Sequence, residues 1–314
     1  MKVLITGACG YIGGALSYYL EKNSISFVGI DDLSNSTKKN FSKSGKLYIG
    51  NINNKNFLEK ILNKFEPTHI IHLAASSDVS QSEKNKKKYL QNNYENSKII
   101  FDLTKKKKIT FLFASSAAVY SPSFKAKKED NDNNDRPFNY YGYTKKKFEK
   151  YLLKSKKNEI LIFRFFNVVG CTNNFKYGNK KKNKSLFNNL SKSLLENSIF
   201  KIYGNNFKTR DGTAVRDYID INDLCKIIIF FIKRKKIYKT IFNIGTGSFY
   251  SVKEIVKLFE ANSKKKIKIM KVKAKKGNAS QIISDNFKLN KIYKGKFFKI
   301  EKSIKNHIKF YKYF

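Results

Sequence analysis

Five short runs of this chain are almost continuously apolar, at residues 2–6, 26–31, 69–73, 110–115 and 159–165. Strands covered on both faces, as in parallel sheets, have this signature rather than a strict apolar/polar alternation. Between the runs the apolar spacing shifts to three and four residues, which predicts helices at 11–22, 56–65, 87–105 and 141–154. Strand and helix taking turns in this way predict an α/β fold with a doubly wound parallel sheet of the Rossmann type. After Phe166 the regularity loosens, and the lysine-rich stretch 176–184 reads as a solvated loop near a domain junction. Further helices are predicted at 186–196, 222–235 and 252–262. They suggest a smaller C-terminal α/β lobe. The expected division is 1–168 and 169–314, with segments around 215–245 returning to the first domain. No internal repeat is visible.

Composition narrows the class. A chain of 314 residues, 41% hydrophobic, is long enough for one large core and a smaller second one. The net charge of +41 invites a nucleic-acid reading, because clustered cations displace counterions from a phosphate backbone. The kind of cation argues against it. Only Arg136, Arg164, Arg210, Arg216 and Arg234 are arginines, and the other basic residues are lysines dispersed along the chain. Specific recognition of bases and phosphates favours arginine's planar fork. Lysine here accompanies abundant asparagine, isoleucine, phenylalanine and tyrosine, as drift toward A/T-rich codons would produce. No specific nucleic-acid partner is expected. No apolar run approaches the roughly 20 residues that cross a bilayer, and the start reads as a strand rather than a signal peptide, so a cytoplasmic protein without a membrane partner is expected. Cys9, Cys171 and Cys225 are far apart and fit no metal spacing, and His72 at a strand end reads as packed, so no metal site is expected.

The candidate chemistry begins at Thr6-Gly-Ala-Cys-Gly-Tyr-Ile-Gly13, directly after the first predicted strand. Gly7 permits a tight turn, Gly10 lets the backbone approach a pyrophosphate, and Gly13 lets the next helix pack closely with its N-terminus toward the negative charge. Asp31, ending the second strand, stands where a carboxylate accepts hydrogen bonds from an adenosine ribose and repels a ribose phosphate, which favours NAD over NADP. Tyr141 and Lys145 lie one helical turn apart, and Ser116 ends a predicted strand. Tyr141 is the candidate base for an alcohol hydroxyl, Lys145 its electrostatic support, and Ser116 a hydrogen-bond partner of the reacting oxygen. Bringing a tyrosine from about 10 to near 7 takes roughly 4 kcal/mol of preference for the phenolate.

Together with Ser115-Ser-Ala-Ala-Val-Tyr120, Arg164-Phe-Phe-Asn167 and Gly212-Thr-Ala-Val-Arg-Asp-Tyr218, these segments resemble the extended short-chain dehydrogenase/reductase family, in particular its UDP-glucose 4-epimerases. The resemblance runs from Met1 to about Leu258. It implies an NAD-dependent isomerase that oxidises C4 of a UDP-hexose, turns the 4-keto sugar and returns the hydride. It also implies cofactor contacts by Gly7, Gly10, Tyr11, Ile12, Gly13, Asp31, Asn51, Ile52, Asn93, Tyr141 and Lys145, and UDP-sugar contacts by Ser116, Asn167, Tyr203, Arg216 and Lys275. A homodimer through helices 87–105 and 141–154 is implied too. Related dehydratases carry an Asp-Glu pair after the hydroxyl position; Ala117 and Ala118 stand there, which favours epimerisation over loss of water.

The chain departs from the family's pattern in places. Asn51 replaces an aspartate, Ser77 a lysine and Ser121 a glycine, and Lys275-Lys-Gly-Asn278 stands for Arg-x-Gly-Asp. UDP-N-acetylhexosamine or UDP-uronate 4-epimerisation is the nearest alternative, then a dehydratase or reductase of the same superfamily. A silent NAD-binding scaffold or a nucleic-acid binder is the alternative of a different class.

Overall fold

A computed structural model describes residues 1–130, 136–157, 159–179, 185–234, 239–274 and 277–313. In chain order the first half runs β1 (Lys2–Thr6), α1 (Tyr11–Lys22), β2 (Ser26–Asp31), β3 (Lys46–Ile49), α2 (Lys55–Phe65), β4 (His69–His72), α3 (Val79–Lys84), α4 (Lys86–Leu90), α5 (Asn96–Thr104), β5 (Thr110–Ser116), α6 (Tyr140–Lys154) and β6 (Ile160–Phe165). The second half adds β7 (Asn167–Val169), α7 (Leu186–Leu195), β8 (Phe200–Tyr203), β9 (Val215–Asp220), α8 (Ile221–Ile232), β10 (Thr240–Ile244), β11 (Phe249–Ser251), α9 (Val252–Ser263), β12 (Ile269–Val272), β13 (Gln281–Ile282), α10 (Phe287–Ile292) and α11 (Ile300–Lys312).

A parallel sheet of seven strands in the order β10-β6-β5-β4-β1-β2-β3 forms the centre. Alternate residues of its strands feed two separate cores, as the pleat requires. Val3, Ile5, Leu112, Phe163 and Phe165 pack on the face covered by α1 and α8, whereas Leu4, Phe111, Phe113, Ile160 and Ile162 pack on the face covered by α2, α5 and α6. Both faces are therefore dry, which explains the continuous apolar runs. The strand order reverses between β1 and β4, so the crevice at their carboxyl ends is the natural ligand site of this topology.

The later segments divide between the sheet and a second lobe. Strand β10 pairs with β6, and α8 packs on α1 with Tyr19 donating to Asn222 Oδ1 at 2.8 Å. A smaller sheet, β11-β9-β13 with β7 beside β9, and the pair β12-β8 build the C-terminal lobe over a core of Phe187, Tyr218, Phe259 and Ile304. Two expectations need correction. Residues 176–179 are anchored rather than solvated: Tyr177 is buried against Tyr18, and its carbonyl accepts from Thr172 N at 2.8 Å. The remainder of that stretch, 180–184, lies outside the described residues. The helix expected at 87–105 is interrupted by a π-helical turn, Gln91–Glu95, around the fully buried Asn93.

Three histidines are buried with their ring pKa pushed down by loss of hydration: His69 to about 4, His72 to about 3 and His307 to about 4. The folded chain thus binds fewer protons than the unfolded one between those values and 6.5, so this stability is complete above pH 6.5 and lost as pH falls through the window. We expect Tm to fall as pH is lowered from 6.5 to 4, and to fall less in His307→Leu, which has no ring to protonate. A His307→Leu variant as acid-sensitive as the wild type would contradict this.

Candidate active site

The turn after β1 is shaped by its glycines. Gly7 adopts φ +67, and a Cβ there would lie 2.8 Å from Ala74 N, so only glycine lets the turn press against the end of β4. A Cβ on Gly13 would overlap the Gly7 carbonyl oxygen. Helix α1 starts at Tyr11 with Gly10 as its N-cap, no capping side chain and no acid in its first turn. Gly14 N closes the first helical bond to Gly10 O at 2.9 Å, so the amides of Tyr11, Ile12 and Gly13 have no acceptor among the described residues. Those three N–H groups at the positive end of the helix dipole fit a pyrophosphate.

Asp31 ties this turn to β2. Its Oδ2 accepts from Cys9 N at 2.9 Å, and its Oδ1 accepts from Leu33 N at 2.9 Å and Ser36 Oγ at 2.8 Å. A carboxylate has about four acceptor positions, so one remains for a ribose hydroxyl. The donor set and the glycine cradle therefore fit a dinucleotide such as NAD. Asn51 is engaged locally: Nδ2 donates to Asp32 Oδ2 at 2.9 Å and Oδ1 accepts from Asn53 N at 3.0 Å. Ile52 is a core residue. Asn93 is fully spent on the scaffold, taking Ser76 N at 2.8 Å and donating to Ser76 O at 2.9 Å and Thr144 Oγ1 at 3.1 Å. It holds the chain after β4 against α6 and has no spare donor for a cofactor.

Ser116 ends β5 and caps the short turn Ala117–Val119, its Oγ accepting from Ala118 N at 3.2 Å. Gly142 allows that turn to touch α6, because a Cβ there would overlap the Ala118 carbonyl oxygen. The three leading amides of α6 are all satisfied by side chains. Glu83 accepts from Tyr140 N at 2.7 Å, Ser82 from Tyr141 N at 3.0 Å, and the N-cap Asn139 from Gly142 N at 2.8 Å. Tyr141 is thereby set near Ser116, whose hydroxyl favours the phenolate.

Lys145 follows one turn later, buried to 2% exposure, its Nζ donating to Ala114 O at 2.8 Å and lying 6.0 Å from the Tyr141 ring centre. Desolvation pulls its pKa down to about 7, against the opposing pull of Glu149. Burial pushes Tyr141 up to about 12, with the Ser116 hydrogen bond working the other way and Tyr89 adding to the rise. Before any cofactor binds, the phenol is protonated, which is the reverse of the shift expected from the sequence. The missing influence is positive charge.

Deeper lies a polar group that sequence reasoning passed over. Glu149 is fully buried and accepts Arg164 Nε at 3.0 Å, Arg164 Nη2 at 2.6 Å and Ser115 Oγ at 2.5 Å. Arg164 Nη1 donates to Tyr120 Oη at 2.8 Å, and Tyr120 donates to Asn243 Oδ1 at 2.7 Å. His72 stands nearby with Nδ1 2.7 Å from Thr6 Oγ1 and Nε2 2.8 Å from Ser97 Oγ. It is packed, not exposed to the crevice.

Of the residues expected at the substrate, Ser116 ends β5 of the main sheet, whereas Asn167, Tyr203 and Arg216 are on the second lobe. Asn167 opens β7, paired with Tyr218 of β9, and Arg216 sits two residues earlier on β9. Arg216 donates through Nη1 to Val215 O at 2.7 Å and Ser280 O at 3.2 Å, and through Nη2 to Ala279 O at 2.5 Å. Nε–H and one Nη2 hydrogen have no acceptor among the described residues. The pairing with Asp217 or Asp220 that would have made it merely structural does not occur: Asp217 takes the amides of Thr246 and Gly247 at 3.0 and 2.9 Å, and Asp220 caps α8. Tyr203, half-buried, ends β8 beside Val272. Lys275 lies outside the described residues. Among the described residues no three His, Cys, Asp or Glu side chains converge on a common point.

Comparison with known proteins agrees with this geometry. The NAD dependent epimerase/dehydratase family matches residues 3–245. A UDP-glucose 4-epimerase of Pisum sativum is 30% identical over 92% of this chain and 89% of its own length, and one of Lactobacillus helveticus is 32% identical over 82% and 80%. Among solved structures, UDP-glucose 4-epimerase from Bifidobacterium longum in complex with NAD+ and UDP shares the fold at TM-score 0.91 and 24% identity, covering 100% of this chain and 98% of that one. UDP-glucuronic acid 4-epimerase from Bacillus cereus, in complex with UDP-glucuronic acid and NAD, superposes at TM-score 0.87 with 26% identity over 100% and 99%. On the glycine turn, the Ser116–Tyr141–Lys145 cluster and these matches, the chain belongs to the NAD dependent epimerase/dehydratase family.

Proposed function

We propose that this chain is an NAD-dependent UDP-hexose 4-epimerase, most simply one interconverting UDP-glucose and UDP-galactose. The observation that carries the reading is the phenol of Tyr141 held against the Ser116 hydroxyl at the end of β5, with the buried amine of Lys145 behind it. The alanines at 117 and 118 support inversion over dehydration, since no carboxyl group stands there to expel water. When bound, NAD supplies a hydride acceptor and a positively charged ring. Tyr11, Ile12 and Gly13 would hold its pyrophosphate by their amides, and Asp31 its adenosine ribose.

In this mechanism Ser116 orients the C4 hydroxyl and Tyr141, as phenolate, takes its proton. The same phenol returns the proton once the 4-keto sugar has presented its other face. The demand on Tyr141 can be sized. Moving the phenol from about 12 to near 7 takes roughly 7 kcal/mol of differential stabilisation. One unit charge about 4 Å away supplies about 4 kcal/mol at an effective dielectric of about 20. Lys145 alone is insufficient. A further cation is needed, and the positive ring that bound NAD would supply is its natural source.

Inversion also requires a firm hold on the nucleotide and a loose one on the hexose. We assign that hold to Arg216, through its remaining N–H groups, with Asn167, Tyr203 and Lys275. Residues 1–168 with the returning α8–β10 segment would carry the cofactor, and the rest the UDP-sugar. A cytoplasmic location belongs to the same proposal; no helix among the described residues is long and apolar enough to cross a membrane.

Purified protein, denatured, should release NAD stoichiometric with chain by mass spectrometry. The intact protein should turn over UDP-galactose faster than UDP-N-acetylgalactosamine or UDP-galacturonate. Tyr141→Phe should lower kcat by roughly a hundredfold to ten-thousandfold with NAD still bound. Wild-type turnover in that variant would remove the base assignment, and a preference for one of the other sugars would redirect the substrate assignment.

Association of two copies through residues 87–105 and 141–154 is part of the proposal. The lysines there are partly neutralised on their own helix: Lys98 pairs with Glu95 at 2.6 Å and Lys105 with Asp102 at 3.0 Å. Light scattering at physiological salt should give a dimer, and a monomer at all concentrations would contradict it.

A further inference from the structure

Glu149 has no place in the chemistry described so far, yet it is the fully buried anion of the neighbourhood, one turn beyond Lys145 on α6. Both its oxygens are fixed, by the two-pronged contact with Arg164 on β6 and by the hydroxyl of Ser115, the residue before Ser116. Burying three charged groups together is expensive unless they compensate one another. We propose that Glu149 is a positioning residue of the active site: its clamped carboxylate sets a fixed negative charge one helical turn beyond Lys145 and fixes the end of β5 that presents Ser116. This rests on the assignment of Tyr141 and Lys145 made above.

The surroundings of Lys145 leave few other candidates. From α6 it has Tyr141 and Glu149; from β5, the uncharged Phe113 ring, its centre 4.7 Å from Nζ; from β4, His72, a neutral ring whose own pKa is lowered in part by Lys145; Arg164 of β6, a cation, binds Glu149, and Tyr89 of α4 acts on Tyr141. Among the described residues its direct hydrogen-bond acceptor is the neutral carbonyl of Ala114. Glu149 is therefore the one anion among the described groups that acts on it. With the carboxylate present Lys145 titrates at about 7; without it, desolvation is unopposed and the amine is neutral at neutral pH. A neutral amine gives Tyr141 no Coulomb support, so the base itself would be lost. Ser115 and Arg164 prevent the carboxylate from turning away, and the Arg164–Tyr120–Asn243 chain anchors the clamp to β10.

The sign of the test follows. Glu149→Gln should move the alkaline limb of the kcat profile down by about one pH unit or more, so that turnover falls about tenfold or more at pH 8 and much less at pH 6. Glu149→Asp should restore part of the shift, and Ser115→Ala, which keeps the charge, should lower kcat without moving the limb. If Arg164 left unbalanced prevents Glu149→Gln from folding, Glu149→Gln/Arg164→Met removes the pair together and should still titrate below the wild type. A second readout needs no turnover: in lysine-labelled protein one ammonium signal, absent from Lys145→Met, should titrate near 7 in the wild type and lower in the Glu149 variants. An unmoved limb and an unmoved Lys145 signal, with only Tm or kcat reduced, would overturn the proposal. A wild type that inverts no UDP-sugar would instead defeat the functional reading, leaving the Lys145 titration to judge Glu149 on its own.

Discussion

The bond from Lys145 Nζ to the Ala114 carbonyl fixes the rotation of α6 against the sheet. A lysine that is buried and donates to a strand carbonyl cannot swing into solvent without leaving an amine and a carbonyl unsatisfied. With that rotation set, Gly142 meets the Ala118 carbonyl, the helix N-terminus meets Ser82, Glu83 and Asn139, and Tyr141 meets Ser116. The reacting geometry is a consequence of how one helix docks on β5.

Electrostatics then decide when the site works. Burial pushes Tyr141 up and Lys145 down, each toward its uncharged form. Function needs the opposite pair, phenolate and ammonium. In the proposed mechanism Glu149 works toward that pair, and the charge of a bound oxidised cofactor would contribute the remainder. An enzyme arranged in this way holds an inactive base until its cofactor is in place, which suits a reaction that regenerates the cofactor each cycle.

Much of this was legible in the residues. The five parallel strands could be read because both faces of the sheet are covered, and α1, α2 and α6 because their apolar stripes are strong. The edge strand β3, Lys-Leu-Tyr-Ile, gives no continuous run, because only Leu47 and Tyr48 are partly covered, one on each face of the sheet. Strand β12, Ile-Met-Lys-Val, is mostly exposed and gave none either. In α11 the spacing of Ile300, Ile304, His307 and Phe310 is helical, but lysines at 302, 305, 309 and 312 dilute it. At the site, the glycines, Asp31, Ser116, Tyr141 and Lys145 stand out by type and spacing. Glu149 does not, because Lys-Lys-Lys-Phe-Glu-Lys looks like a solvated face; its meaning comes from Arg164 on a distant strand. Likewise the spacing gives no sign that both amide hydrogens of Asn93 join the Ser76 segment to α6.

The central claim is that cofactor charge and Lys145 together convert the Tyr141 phenol into a base. An ultraviolet difference titration of NAD-loaded wild type against NAD-loaded Tyr141→Phe isolates this one phenol from the other tyrosines among the 19. The account predicts a single phenolate appearing near neutral pH in the loaded wild type and absent after the cofactor is removed. A Tyr141 that ionises only together with ordinary tyrosines, at about 10 or above, whether or not NAD is bound, would contradict it.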